Sequence, residues 1–280
     1  MRSLLPFFLL LALRTFAQSD SAHATLNVHL KELTAALTDS ARDQASLAIK
    51  KELRMLLEAD DALTASFTDV PMSHVDAPDG RFRLFTWNVP RDDGTHRYEG
   101  MLLVKSDDRR VLYELRDMTE KLPTPASKKL GPDNWYGALY YAVIPQQVGR
   151  TTYYTLLGWK GYSKVETRKV IDVLTFSGPA PTFGASIFND GDKTRPLRKI
   201  YGFNFQSTMS LKWDAPNKAI VMDHLAPMKP EFAGKPELMG PDLSFDAYVW
   251  YKGRWSYLRD VDARNMNIAP PPPRMKRKAQ

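Results

Sequence analysis

A chain of 280 residues with 43% hydrophobic and 25% charged residues has ordinary globular composition, long enough for one large β domain or two small ones. It contains no cysteine, which excludes disulfides, thiol catalysis, iron–sulfur clusters and cysteine-ligated zinc. The net charge is +7, but six basic residues (Arg2, Arg14, Arg274, Lys276, Arg277 and Lys278) lie at the two ends; the body carries 7 − 6 = +1, and no nucleic-acid partner is expected for it.

Residues 1–17, MRSLLPFFLLLALRTFA, read as a secretory signal peptide. Arg2 supplies the positive start, Leu4 to Leu13 the apolar segment, and Thr15-Phe16-Ala17 the small residues that precede a cleavage site. The apolar run is too short to span a bilayer as an anchor. The protein is therefore expected to be exported, to the periplasm, the cell envelope or the medium, with no transmembrane segment after cleavage.

Residues 18–70 change to a helical period. Leu26, Leu30, Leu33 and Leu37 form one apolar stripe, and Ile49, Leu53, Leu56, Leu63 and Phe67 form a second. Thr38-Asp39-Ser40 interrupts them, and Ser40 with Asp43 imitates a capping box. Two amphipathic helices joined by a short turn make a hairpin whose stripes need a surface to cover.

Residues 71–269 read as an antiparallel β domain of about ten strands, so the fold class is α+β, mainly β: a helical hairpin packed on a sandwich, barrel or propeller-like body. The first strands are Phe82 to Val89, Tyr98 to Lys105 and Arg110 to Arg116, separated by turns such as Asp93-Gly94. Residues 117–133, rich in proline and lysine, are a long loop and a possible internal boundary. Trp135 to Ile144 follows. In the stretch after it, Tyr153, Thr155, Leu157 and Trp159 share one face and Tyr154, Leu156 and Gly158 the other, as in a strand buried on both sides. Val170 to Phe176 and Thr182 to Phe188 complete this centre. Lys199 to Gln206, Met209 to Trp213 and Ala219 to Leu225 come next, then a proline-rich loop from Ala226 to Pro241 and a hairpin of Phe245 to Tyr251 with Arg254 to Arg259. Residues 270–280, four prolines and RMKRKAQ, are a polyproline spacer with a basic end that can touch anionic surfaces.

The runs YYTLLGWKG, KVIDVLTF, DHLAP at 223–227 and DVDARN at 260–265 resemble a family of uncharacterised exported bacterial proteins. The likeness covers most of the chain from the middle strands onward. It implies export, and carries no activity, cofactor or catalytic residue.

For chemistry, the five histidines show neither HxH nor HExxH spacing, and G-x-S-x-G, S-x-x-K and the glycine-rich phosphate loops are absent. His96 follows the Asp93-Gly94 turn and reads as a loop residue. His224 shares a strand face with Ile220 and Met222, opposite Asp223, so Asp223 cannot orient it. Asp223, His224 and Asp246 are the candidate catalytic residues. On the last hairpin, Phe245, Ala247, Val249 and Tyr251 read as core-facing, which leaves Asp246, Tyr248 and Trp250 as the candidate ligand-binding surface. Asp260, Asp262, Asn265 and Asn267 offer four oxygen ligands within eight residues, a candidate calcium site, although such residues also cap turns. No other cofactor is indicated.

The expectation is a non-catalytic binding or structural protein of the envelope, its partner an envelope protein or a glycan. The alternative is a hydrolase acting on glycans through carboxylates. Export makes the first prediction: the mature chain recovered outside the cytoplasm begins at Gln18, and N-terminal sequencing that finds Met1 retained there refutes it.

Overall fold

The computed structural model describes residues 23–106, 109–191 and 194–262. The signal segment, the basic tail, Asn265 and Asn267 lie outside the described residues. A helix covering residues 23–35, α1, leads through a short turn into α2 (Asp39–Glu58). Thr38, extended at φ −128°, caps α2: its hydroxyl accepts the Ala41 N–H at 3.2 Å, a role the sequence pattern had placed at Ser40.

The α2 stripe is Ala45, Ile49, Leu53 and Leu57, one residue per turn, all buried. Burying each leucine or isoleucine contributes about 1.5–3 kcal/mol. Leu37 belongs to neither helix and is 88% exposed, because the chain leaves α1 before reaching it. Leu63 and Phe67 lie beyond α2 in turns, where Phe67 is buried edge-on against Phe85 at 4.8 Å. Among the described residues no helix is long and apolar enough to cross a membrane.

Strands β1 (Ser73–Asp76), β2 (Phe82–Pro90), β3 (His96–Ser106) and β4 (Arg109–Arg116) form one sheet in that order, β1 being a strand the sequence pattern did not show. β5 (Leu139–Val148), β6 (Thr151–Gly161) and β7 (Glu166–Thr175) follow. Two short strands come next, β8 (Thr182–Phe183) and β9 (Phe188–Asn189), then β10 (Lys199–Asn204) and β11 (Leu211–Asp214). β12 (Ala219–Pro227), β13 (Met239–Tyr251) and β14 (Arg254–Leu258) end the series. The second sheet runs β10-β7-β6-β5 with β8 on β7, and the third runs β11-β12-β13-β14-β9. The named strands pair antiparallel except β14 with β9. The body is thus stacked open sheets with no closed barrel.

Alternation along the strands explains the stacking. On the first sheet, Phe85, Trp87, Val89, Met101 and Leu103 take the helices. Phe82, Leu84, Leu102 and Val104 face the other way, onto Tyr154, Leu156, Val170 and Leu174 of the second sheet. The opposite face of that second sheet, Leu157, Ile171 and Val173, meets Ile220, Met222, Tyr248 and Trp255 of the third. The two-faced apolar pattern around residues 153–159 is therefore that of a middle layer.

Several boundaries differ from the sequence pattern, three of them by a change of environment. Trp135 to Ala138 are buried loop, and β5 begins only at Leu139. Thr182 to Phe188 is split between two sheets, since the Arg198 guanidinium takes the Phe183 carbonyl at 3.0 Å and the chain crosses to the third sheet beyond it. β13 starts at Met239, well before Phe245.

A buried ion pair ties the long loop to the middle sheet. Arg198 and Asp172 are both fully buried, and Arg198 Nε donates to Asp172 at 3.1 Å. The guanidinium also donates to the carbonyls of Pro125, Lys128 and Phe183, while Tyr140 donates its hydroxyl to the same carboxylate at 3.2 Å. Removing one partner strands the other charge in the core. Arg198→Met is expected to cost about 3–5 kcal/mol in denaturant unfolding; a loss below about 1 kcal/mol would show that the pair contributes little.

Candidate functional site

Of the sequence-predicted residues, His224, Asp246, Tyr248 and Trp250 share the face of the third sheet that packs on the second. Asp246 is 5% exposed, Tyr248 is fully buried, and Trp250 is half-buried edge-on against Trp255 at 5.1 Å. These three form no exposed platform, because β13 is an interior strand of a sheet that packs on another sheet. Ala247 and Val249 are buried as well, with Ala219 and Val221 on the opposite face.

His224 is held by Asp246. Its Nδ1 lies 2.7 Å from the Asp246 carboxylate, which also accepts the Tyr257 hydroxyl and, at 3.1 Å, the Asp260 N–H. Asp246 pairs with Met222, so it is the diagonal cross-strand neighbour of His224. A bulge lies here: pairing jumps from Asp223–Phe245 to Leu225–Pro241, leaving Asp242 to Ser244 opposite His224. Asp223 points elsewhere and accepts the Ser210 N–H at 2.8 Å. Tyr248 donates to Asp190 at 2.6 Å, and Asp190 in turn accepts Lys199 Nζ at 2.5 Å. Burial pushes the Tyr248 and Tyr257 hydroxyls well above their ordinary range, so both remain proton donors at neutral pH. His224 and Asp246 have the arrangement that orients a general base. The carboxylate is also occupied by two further internal donors, which makes the cluster a hydrogen-bonded joint across β12, β13 and β14 of the third sheet, while Asp190 links Tyr248 to Lys199 on the second.

Asp260 stands at φ 56°, and both it and Asp262 are exposed. Among the described residues no group of three or more histidines and carboxylates could hold a metal ion.

A second polar cluster lies where β3 begins and β4 and β6 end, and it lines a cleft of about 460 Å³. At its base is Lys160, 1% exposed. The Lys160 ammonium donates to the Gly137 carbonyl at 2.5 Å and sits over the rings of Tyr98 at 4.1 Å and Tyr136 at 4.7 Å. The nearest carboxylate, Asp117, is 4.0 Å away and already engaged: it accepts the N–H groups of Tyr98, Thr119 and Gly137 and the Thr119 hydroxyl. Burial pushes the Lys160 amine down to about 8, against a smaller opposing pull from Asp117. His96 opens β3 rather than lying in the turn, and its Nδ1 is 3.1 Å from the Asn88 amide. Burial, and next the nearby Lys160 charge, lower its proton affinity and keep it neutral.

Two glycines let these groups converge. A Cβ on Gly161 would stand 2.8 Å from the His96 ring, and one on Gly137 would stand 2.3 Å from the Tyr98 Cβ. From outside the cleft, Asp43 of α2 binds two residues that line it, Arg91 at 2.9 Å and Arg97 at 2.7 Å. A larger groove of about 680 Å³ between α1 and β2 is lined mainly by apolar groups, among them Leu33, Met72, Trp87 and Leu139. The cleft, of ordinary ligand size and with perturbed titrating groups, is the better candidate site. The sequence carried one sign of it: Lys160 is a charge inside a run apolar on both faces.

Comparison with known proteins brings no relative to bear: no family model, no curated protein and no solved structure matches the chain.

The buried lysine makes stability depend on pH in a definite direction. Between about 8 and the ordinary value of 10.5, the unfolded chain holds a proton at Lys160 that the folded chain has lost. Stability due to this group therefore rises with pH across that window, by about 3 kcal/mol in total. Unfolding free energies of the native protein and of Lys160→Met, compared from pH 7 to pH 10, should show that rise only in the native protein. Parallel curves would refute it.

Proposed function

We propose that this is an exported, non-catalytic binding protein of the cell envelope, and that its ligand occupies the cleft above Lys160. Export rests on the signal-peptide pattern of residues 1–17 and on the resemblance in the middle and C-terminal strands. Binding rests on one observation: a cleft of about 460 Å³ with a buried amine at its base. The polar groups around that amine support binding more than chemistry. Asp117 is held by the fold, its Oδ1 accepting the Thr119 and Gly137 N–H groups and the Thr119 hydroxyl and its Oδ2 the Tyr98 N–H. Glycan hydrolysis through carboxylates has less support. Asp246 accepts bonds from His224, Tyr257 and Asp260, and Asp223 is engaged by Ser210. The partner envisaged is thus a small polar molecule of the envelope.

Fragment binding tests this reading without a known ligand. A library of small polar compounds added to the isotope-labelled mature chain should shift the backbone resonances of His96, Thr119, Lys160 and Ser163 together. Shifts confined to the groove near Leu33 and Trp87, or no shifts at all, would overturn it.

A further inference from the structure

We propose that the cleft takes a small anion, and that Lys160 gains a proton as the anion binds; this rests on the cleft being the ligand site. The geometry of charge compensation carries the inference. A buried ammonium normally meets a carboxylate directly, because a charge left unpaired in the interior loses its hydration with nothing in return. Lys160 instead has one neutral carbonyl and two ring faces, while the oxygens of Asp117, 4.0 Å away, already serve other donors. The cation is thus incompletely answered on the one side where the protein is open, the cleft.

The lining fits the same charge. Arg91, Arg97 and Lys121 border the cleft with Glu120 and Asp117; the two arginines share the single carboxylate of Asp43, and Arg97 also meets Glu99 at 3.0 Å. Ser163 adds a donor: its oxygen accepts the N–H groups of Val165 at 3.3 Å and Glu166 at 3.1 Å, so its own hydrogen is available. A carboxylate, sulfate or phosphate oxygen placed there would meet an ammonium and a hydroxyl donor together.

Several groups set the proton balance at Lys160. Asp117 at the end of β4 favours the charged amine, and Arg168 on β7 opposes it. Tyr98 on β3 and Tyr136 before β5 are held neutral by burial, and His96 is neutral as well. In the free protein the amine has lost most of its charge above about pH 8. An anion beside it restores the charge, so binding and protonation are linked and reinforce each other. With the free amine titrating near 8, uptake approaches one proton per anion at about pH 9 and falls to roughly a tenth at about pH 7. Affinity accordingly drops by up to about tenfold per pH unit above 8.

The test uses the full mature chain with sulfate and oxalate, neither of which titrates above neutral pH. Calorimetric titration in two buffers of different ionisation heat reads the protons taken up. Uptake near one at pH 9, and little at pH 7, is the expected result. Lys160→Arg should retain anion binding with no uptake, since arginine does not titrate there, and Lys160→Met should lose both. If neither variant folds, the pH series on the native protein decides alone. Anion binding with no uptake at pH 9 overturns the inference, and so does the absence of anion binding. In both cases resonance shifts from neutral fragments at His96 and Ser163 would leave the cleft reading standing, and their absence would remove it too.

Discussion

The centre of the second sheet is covered by the first on one side and by the third on the other, so water reaches neither face there. The polar groups buried between the layers must then be answered from within the protein. This constraint accounts for the least ordinary contacts in the molecule. Asp172 is met by Arg198 and Tyr140, and Thr155 by the Trp255 indole at 2.8 Å. The loop between β4 and β5 has little regular structure, yet it is held in place because the guanidinium that neutralises Asp172 also needs the Pro125 and Lys128 carbonyls.

Lys160 stands at the end of the same sheet, and its charge meets no carboxylate closer than 4.0 Å. Its sheet position buries it, while the neighbouring carboxylate is fully employed in turning the chain from β4 toward β5. A buried cation facing a cleft therefore follows from how the layers end, and α2 holds two of the cleft's arginines through Asp43. The rim between the second and third sheets resolves its charges differently. There the carboxylates of Asp190 and Asp246 are met by tyrosine hydroxyls, a lysine and a histidine.

Much of the fold was legible in the pattern of apolar residues, because helices and strands announce their period locally. The helical hairpin, strands β2, β3 and β4 of the first sheet and the two-sided burial of β6 could all be read that way. Leu37 could not, since its place in the stripe was correct and only the Thr38 cap removes it from the helix. The splitting of Thr182 to Phe188 could not either, as it depends on Arg198 arriving from outside the segment. The sites were less legible than the fold. His224 was recognised without its partner, because Asp246 becomes its neighbour through strand register and not through sequence spacing. Asp246, Tyr248 and Trp250 were assigned the outward face because alternation gives two faces without saying how many sheets will cover them.

The sequence by itself determined the class of the protein: cysteine-free, mainly β, with a helical hairpin ahead of the strands and a central run apolar on both faces. These follow from composition and from periods of 3.6 and 2, which need no knowledge of distant contacts. Tertiary structure alone decided which charged residues became buried and who answered them. Lys160, Asp117, Tyr98 and Tyr136 lie up to 62 positions apart in the chain, and only the stacking of the first sheet on the second makes them neighbours. The electrostatics of the cleft arise from that stacking, because a charge is perturbed by what surrounds it in space.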